Sequence, residues 1–124
     1  MTMMLFDTCI IIDLLRGHTA ATAYVKALDS QPSLSVLTAT ELIAGCRNEN
    51  ERNRINQILA TSVMLAVDLE TALSAGRHMQ IFGKSHRLDP IDALIAATAG
   101  QHGLPLATHN LKHFPMFPDL KRPY

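Results

Sequence analysis

The run Met3-Met4-Leu5-Phe6-Asp7 constrains the fold more than any other stretch of this chain. Four apolar residues without polar alternation read as a short strand covered on both faces, the pattern of a parallel sheet. From Thr8 onward the apolar positions become Ile10, Ile11, Leu14 and Leu15, a helical spacing that Gly17 ends. Asp7 therefore stands where a central strand gives way to a helix. In open α/β sheets ligands bind at that edge, beyond the carboxyl ends of the strands.

The rest of the chain repeats the theme. Ala20, Tyr24 and Leu28 share one stripe of a helix that stops before Pro32. Residues 34–37 read as a second strand, and Thr38-Ala39-Thr40-Glu41 opens a helix through Leu42, Ile43 and Cys46. Asn48-Glu49-Asn50 breaks it, and Ile55, Ile58 and Leu59 mark the next helix. Residues 63–67 read as a third buried strand. Asp68 caps a helix with a stripe of Leu69, Ala72, Leu73, Gly76 and Met79, and residues 83–87 form a polar, basic connector. Asp89-Pro90-Ile91-Asp92 starts a helix that is apolar nearly all round and ends at Gly103. A fourth strand follows at 104–108, and the Pro-rich tail has room for a short final one. Strands alternating with helices predict an α/β fold, a parallel sheet flanked by helices on both faces. At 124 residues, the reading is a single domain, 1–124, that buries about two-thirds of its unfolded surface.

Composition removes several function classes. Hydrophobic residues make up 48% and charged residues 18%, which is globular and not disordered. Lys+Arg and Asp+Glu balance at 11 each, so any nucleic-acid contact must come from a local patch. The densest basic cluster is Arg47, Arg52 and Arg54, a weak candidate for RNA contact; Lys84, His86 and Arg87 are a weaker one. Cys9 and Cys46 read as buried, reduced thiols inside helices, and the chain as cytoplasmic. No secretory n-region and no apolar run near 18 residues is present, so no membrane association is expected.

Three acids stand at strand-to-helix junctions: Asp7, Glu41 and Asp92. Each has a purely structural reading. Asp7 can cap its helix, Thr38-x-x-Glu41 fits a capping box, and Asp89-Pro90-Ile91-Asp92 is an N-cap, a first-turn proline and a first-turn acid. Such a cap contributes about 1 kcal/mol. Together they ask for more, because strands of a parallel sheet end on one edge. Carboxylates about 4 Å apart repel by about 4 kcal/mol at an effective dielectric near 20. A cluster that close needs a cation or a proton. Oxygen donors without a Cys/His set select a hard ion, Mg²⁺ or Mn²⁺, which suits phosphate chemistry. His109 and His113 are the one histidine pair at i, i+4 with a third ligand in reach, but they lie in a loop, a poor zinc set.

Leu5-Phe6-Asp7-Thr8, Thr40-Glu41-Leu42, the 92–99 segment Asp-Ala-Leu-Ile-Ala-Ala-Thr-Ala, and Thr108-x-Asn110 before Phe114 together resemble the PIN-domain ribonucleases, and most closely the toxin subunits of VapBC toxin–antitoxin pairs. The similarity spans nearly the whole chain. It implies Mg²⁺-dependent cleavage of RNA by a homodimer that a small cognate antitoxin holds inactive. It also implies Asp7 and Asp92 as principal metal ligands, and Glu41 as a third acid acting directly or through water. Thr8, Thr108 and Asn110 would support them. The chain departs from the pattern at the fourth acid, where His109 and His113 stand instead, so a single well-held ion is expected. Asp89 remains the cap, and Asp13 falls on the polar side of the first helix. Two other classes compete. One is a catalytically weak or inactive module that binds RNA or a partner; the other is a receiver-like phospho-acceptor pocket, which the absence of a Lys after the late strand disfavours.

Overall fold

Why the sheet forms is clearest at its centre. Leu5 and Phe6 are both fully buried yet point to opposite faces, so this strand needs cover on two sides. The computed structural model describes residues 3–124 and supplies that cover. Strands β1 (Leu5–Phe6), β2 (Ser33–Ser35), β3 (Val63–Leu65) and β4 (Leu106–Ala107) form one sheet in the order β3-β2-β1-β4, with every pairing parallel. The crossovers are helix pairs: α1 (Thr8–Leu15) and α2 (Thr19–Ala27), α3 (Val36–Ala44) and α4 (Glu49–Ala60), α5 (Leu69–His86) and α6 (Pro90–His102). The α/β architecture read from the sequence is the one observed.

Phe6, Leu34 and Ala107 face one side, where Ile10, Ile11 and Leu15 of α1, Leu42 of α3 and Ile55 of α4 pack on them. Leu5 and Leu106 face the other, against Ile95, Ala96 and Ala99 of α6 and the buried ring of Phe114. Helix α5 lies behind α6, joined through Ala75, Leu88, Ala93 and Ala97. Each fully buried large side chain contributes about 1.5–3 kcal/mol. Sandwiched between sheet and α5, α6 buries Ala93 and every residue from Ile95 to Ala99, which is why it reads apolar all round. Its ends follow the expected chemistry: Asp89 accepts from the Ile91 amide at 2.7 Å, Pro90 occupies the first turn, and Gly103 closes the helix at φ 63°. A side chain at that φ would be strained.

Several local expectations give way. Helix α3 begins at Val36, two residues before the expected Thr38, because Ser35 accepts from the Leu37 amide at 3.1 Å and caps it first. Thr38 lies inside the helix, so there is no capping box at Thr38–Glu41. Cys46 lies in the loop after α3, not in a helix. Asn48 does more than break α3, since its side chain caps α4 through the Glu51 amide at 2.8 Å. β3 is an edge strand and only half-buried. In α5 the packed side is Thr71 and Ala75, whereas Leu69 and Leu73 of the expected stripe are 74% and 55% exposed. The connector read at 83–87 continues α5 to His86, with Arg87 in the left-handed region at φ 49°. No strand follows β4 among the described residues; Leu111–His113 is a single 3₁₀ turn.

Candidate active site

The chain steps outward from β1 to β2 to β3, then returns to place β4 on the other side of β1. That reversal leaves a crevice beyond the carboxyl ends of β1 and β4. Asp7 leaves β1 there, and its amide donates to the Ala107 carbonyl at 2.9 Å. The side chain is buried, and each of its oxygens has a donor. One oxygen accepts from the Thr8 amide at 2.9 Å, capping α1; the other accepts from the Thr108 hydroxyl at 2.7 Å. Thr108 oxygen in turn accepts from the Asn110 amide at 3.0 Å, which folds the chain after β4 around the acid. The Cys9 thiol stands 3.5 Å from the same Asp7 carboxylate, and burial pushes its pKa up.

Glu41 comes from the second turn of α3. It accepts from the Thr8 hydroxyl at 2.6 Å, and that hydroxyl lies 3.0 Å from the buried Thr38 hydroxyl. The residue read as half of a capping box thus reaches across to the neighbouring helix. Asp92 projects from the first turn of α6 with 18% of its side chain exposed. Its hydrogen-bond-distance neighbour is the Nδ1 of His113, at 3.1 Å. Burial, then the negative charge of Asp7, pushes the Asp92 pKa up to about 6, and His113 offsets part of that rise.

Asp7, Thr8, Glu41, Asp92, Asn110 and His113 line one crevice of about 390 Å³. The sequence-derived acids and all but one of their supporting residues therefore share a mouth; Thr108 lies behind it, holding Asp7. They meet less tightly than expected. Among the described residues no three His, Cys, Asp or Glu side chains form a ready-made metal cage. The donor set nonetheless suits Mg²⁺, which keeps several waters and takes one or two carboxylates from a protein. Asp92, whose pKa is raised by burial and then by the charge of Asp7, carries the carboxylate a cation would stabilise.

The three arginines lie elsewhere. Arg47 pairs with Glu51 at 2.8 Å, Arg52 approaches Glu49 at 3.8 Å, and Arg54 donates to the Leu15 and Leu14 carbonyls at 2.6 and 3.3 Å, satisfying the end of α1. None of them lines the crevice. Asp13 is not free in solvent: it accepts from the Tyr124 hydroxyl at 2.6 Å and lies 3.6 Å from His109. Sequence reasoning missed that Cys9 lines the crevice and that His113 touches Asp92. The first followed from its place in the first turn after Asp7; the second depends on the path of the chain between β4 and Phe114, which no local pattern records. A second hollow, about 350 Å³ between the start of β4 and the 116–121 segment, opens at the opposite sheet edge and gathers only Asp119 and Lys121 as charged groups.

With this geometry in place, similarity to known proteins becomes informative. The PIN-domain family profile matches residues 4–116. The Mycobacterium tuberculosis protein named Ribonuclease VapC19 is 40% identical over 98% of this chain and 100% of its own length. Ribonuclease VapC10 from the same organism is 38% identical, over 98% and 93%. Among solved structures, a toxin–antitoxin complex from Klebsiella pneumoniae superposes with a TM-score of 0.83 at 31% identity, covering 98% of both chains. Matched from strand β1 to the segment beyond the 3₁₀ turn, this chain belongs to the PIN-domain family.

Proposed function

We propose that this protein is a divalent-metal-dependent endoribonuclease, the toxin of a toxin–antitoxin pair. The observation that carries the reading is the opening of Asp7, Glu41 and Asp92 into one crevice at the sheet's switch point. Relatives named as VapC ribonucleases and neighbours solved as toxin–antitoxin complexes support it.

In this reading Asp7 and Asp92 hold Mg²⁺, with Mn²⁺ as an alternative, and Glu41 binds it directly or through water. A bound divalent ion lowers the pKa of a coordinated water and stabilises charge on phosphoryl oxygens. The chain's own part is orientation. Thr8 and Thr108 hold the Asp7 oxygens in place, and Thr8 also fixes Glu41. Asn110, anchored through Thr108, lines the wall an RNA strand would pass. His113 shields the Asp92 charge. A cognate antitoxin would close the crevice, and a second copy of the chain would cover exposed Leu69 and Leu73 on α5. Sedimentation of the purified protein as a monomer would remove the homodimer from this picture.

The test is RNA cleavage by Asp92→Asn in Mg²⁺: the variant folds and does not cut. Retained cleavage rejects the assignment. One observation favours the second reading, an inactive module: His113, a neutral-capable imidazole rather than a further carboxylate, is the group that lies against Asp92 at 3.1 Å. A wild-type protein that shifts RNA but never cuts it, with Mg²⁺ or Mn²⁺ supplied, selects that reading.

A further inference from the structure

Two hollows adjoin the crevice through shared lining residues, and they differ in charge. One shares Ile12 and Glu41 with it, a small recess of about 110 Å³ that holds Glu41, Glu51 and a single cation, Arg16. The other, of about 320 Å³, shares Asn110 and His113 with it. That hollow adds Lys112 and Arg122, and Lys112 also borders the next one, about 460 Å³, together with His86. Shared residues thus link three concave spaces into one path over the 3₁₀ turn, and no carboxylate lines the two beyond the crevice.

The basic side chains on this path are not all alike. His109 is occupied by Asp13 and the Tyr124 ring, whose centroid lies 4.2 Å away, and His113 by Asp92. Lys112 and Arg122 are exposed and make no ion pair or hydrogen bond among the described residues. Arg47 and Arg54, by contrast, have their donors turned to Glu51 and to the α1 carbonyls. A polyanion passing the acidic crevice needs positive charge beside it, and unpaired Lys and Arg supply it without breaking an existing contact. Leu111 and Pro115 give the path an apolar floor against which a ribose or base can rest.

We propose that single-stranded RNA reaches the crevice over the Leu111–His113 turn, with Lys112 and Arg122 each holding a backbone phosphate on one side of the bond to be cut. This rests on the ribonuclease reading and gives it a direction: the strand enters past Asn110, away from Glu51.

Fluorescence anisotropy with a labelled 20-nucleotide single-stranded RNA tests it, using Asp92→Asn protein so that the probe survives. Adding Lys112→Ala and Arg122→Ala should weaken binding tenfold or more and reduce the slope of log K against log salt by about 1.4, near 0.7 for each phosphate contact on a single strand. Lys26→Ala with Arg77→Ala, two exposed charges away from the path, should leave affinity within twofold and the slope unchanged. An unchanged slope in the first double variant, or equal losses in both, overturns the proposal. Wild-type cleavage in Mg²⁺ separates the two claims. Cutting that persists beside an unaffected Lys112/Arg122 variant removes only the path, whereas a wild-type protein that neither binds nor cuts removes both.

Discussion

The two walls of the crevice carry the same functional group in opposite states. On the β1 wall, Asp7 is buried and accepts from a backbone amide and a hydroxyl, with a thiol alongside. On the α6 wall, the Asp92 side chain has only His113 within hydrogen-bonding distance among the described residues, and its pKa is pushed up to about 6. One carboxylate is fixed by the fold; the other is left for something the fold does not contain. A site built this way is preorganised on one side and unsatisfied on the other, which fits the proposed capture of a cation.

Substitutions can break that contrast, and the largest effect should come from the two proposed metal ligands. Asp7→Asn and Asp92→Asn should each reduce Mg²⁺-dependent RNA cleavage by more than about 100-fold, beyond what losing an outer-shell partner of a metal ligand costs. Their stabilities should part company. Asp7→Asn places an amide among Asp7's donors and should cost about 1–3 kcal/mol, whereas Asp92→Asn removes a poorly satisfied charge and should leave the melting temperature unchanged or higher at pH 7. Equal destabilisation by the two variants would erase the distinction between the walls.

Thr108→Val comes next. It keeps the shape but strips Asp7 of one donor and the Asn110 amide of its acceptor, so activity should fall about 10–100-fold. Chemical denaturation should show a loss of about 1–3 kcal/mol.

A subtler difference appears in pH. An unfolded Asp releases its proton near pH 4, whereas Asp92 in the fold holds one until about pH 6. The native state therefore binds more protons across that window, and the contribution of Asp92 to stability falls as pH rises from 4 to 6. Melting curves of the metal-free protein minus those of Asp92→Asn should show this decline, and Mg²⁺ should flatten it near neutrality. A difference curve that rises with pH would contradict the assignment.

The smallest effect belongs to Arg54→Ala, which frees the Leu14 and Leu15 carbonyls at the end of the helix that Asp7 caps. It should cost about 1 kcal/mol and leave cleavage by the folded protein unchanged. A cleavage defect without a stability defect would return Arg54 to the RNA-contact role its sequence suggests.

How far the sequence reaches depends on how local the controlling interaction is. Asp7, Asp89 and Gly103 declare their roles because caps and breakers act within a few residues. The start of α3 was misplaced because Val36 and Leu37 look like strand, while the small side chain of Ser35 decides the matter. In α5 the most hydrophobic residues, Leu69 and Leu73, suggest the buried stripe, yet the helix turns Thr71 and Ala75 inward. Ala93 and Ala97 on α6 present a shallow surface that small partners match better than leucines. The three acids were legible as junction residues, but their spacing across the mouth was not. It depends on how α3 and α6 are tilted against β1, which no periodicity encodes. The contact between His113 and Asp92 was hidden for the same reason.

The hydrogen bond from Thr108 to Asp7 spans 101 positions of the chain. Asp7 therefore gains its hydroxyl donor only once the residue after β4, the last strand among the described residues, is in place. A chain still being synthesised, or one cut short before β4, would carry the proposed centre without the bond that orients its first acid.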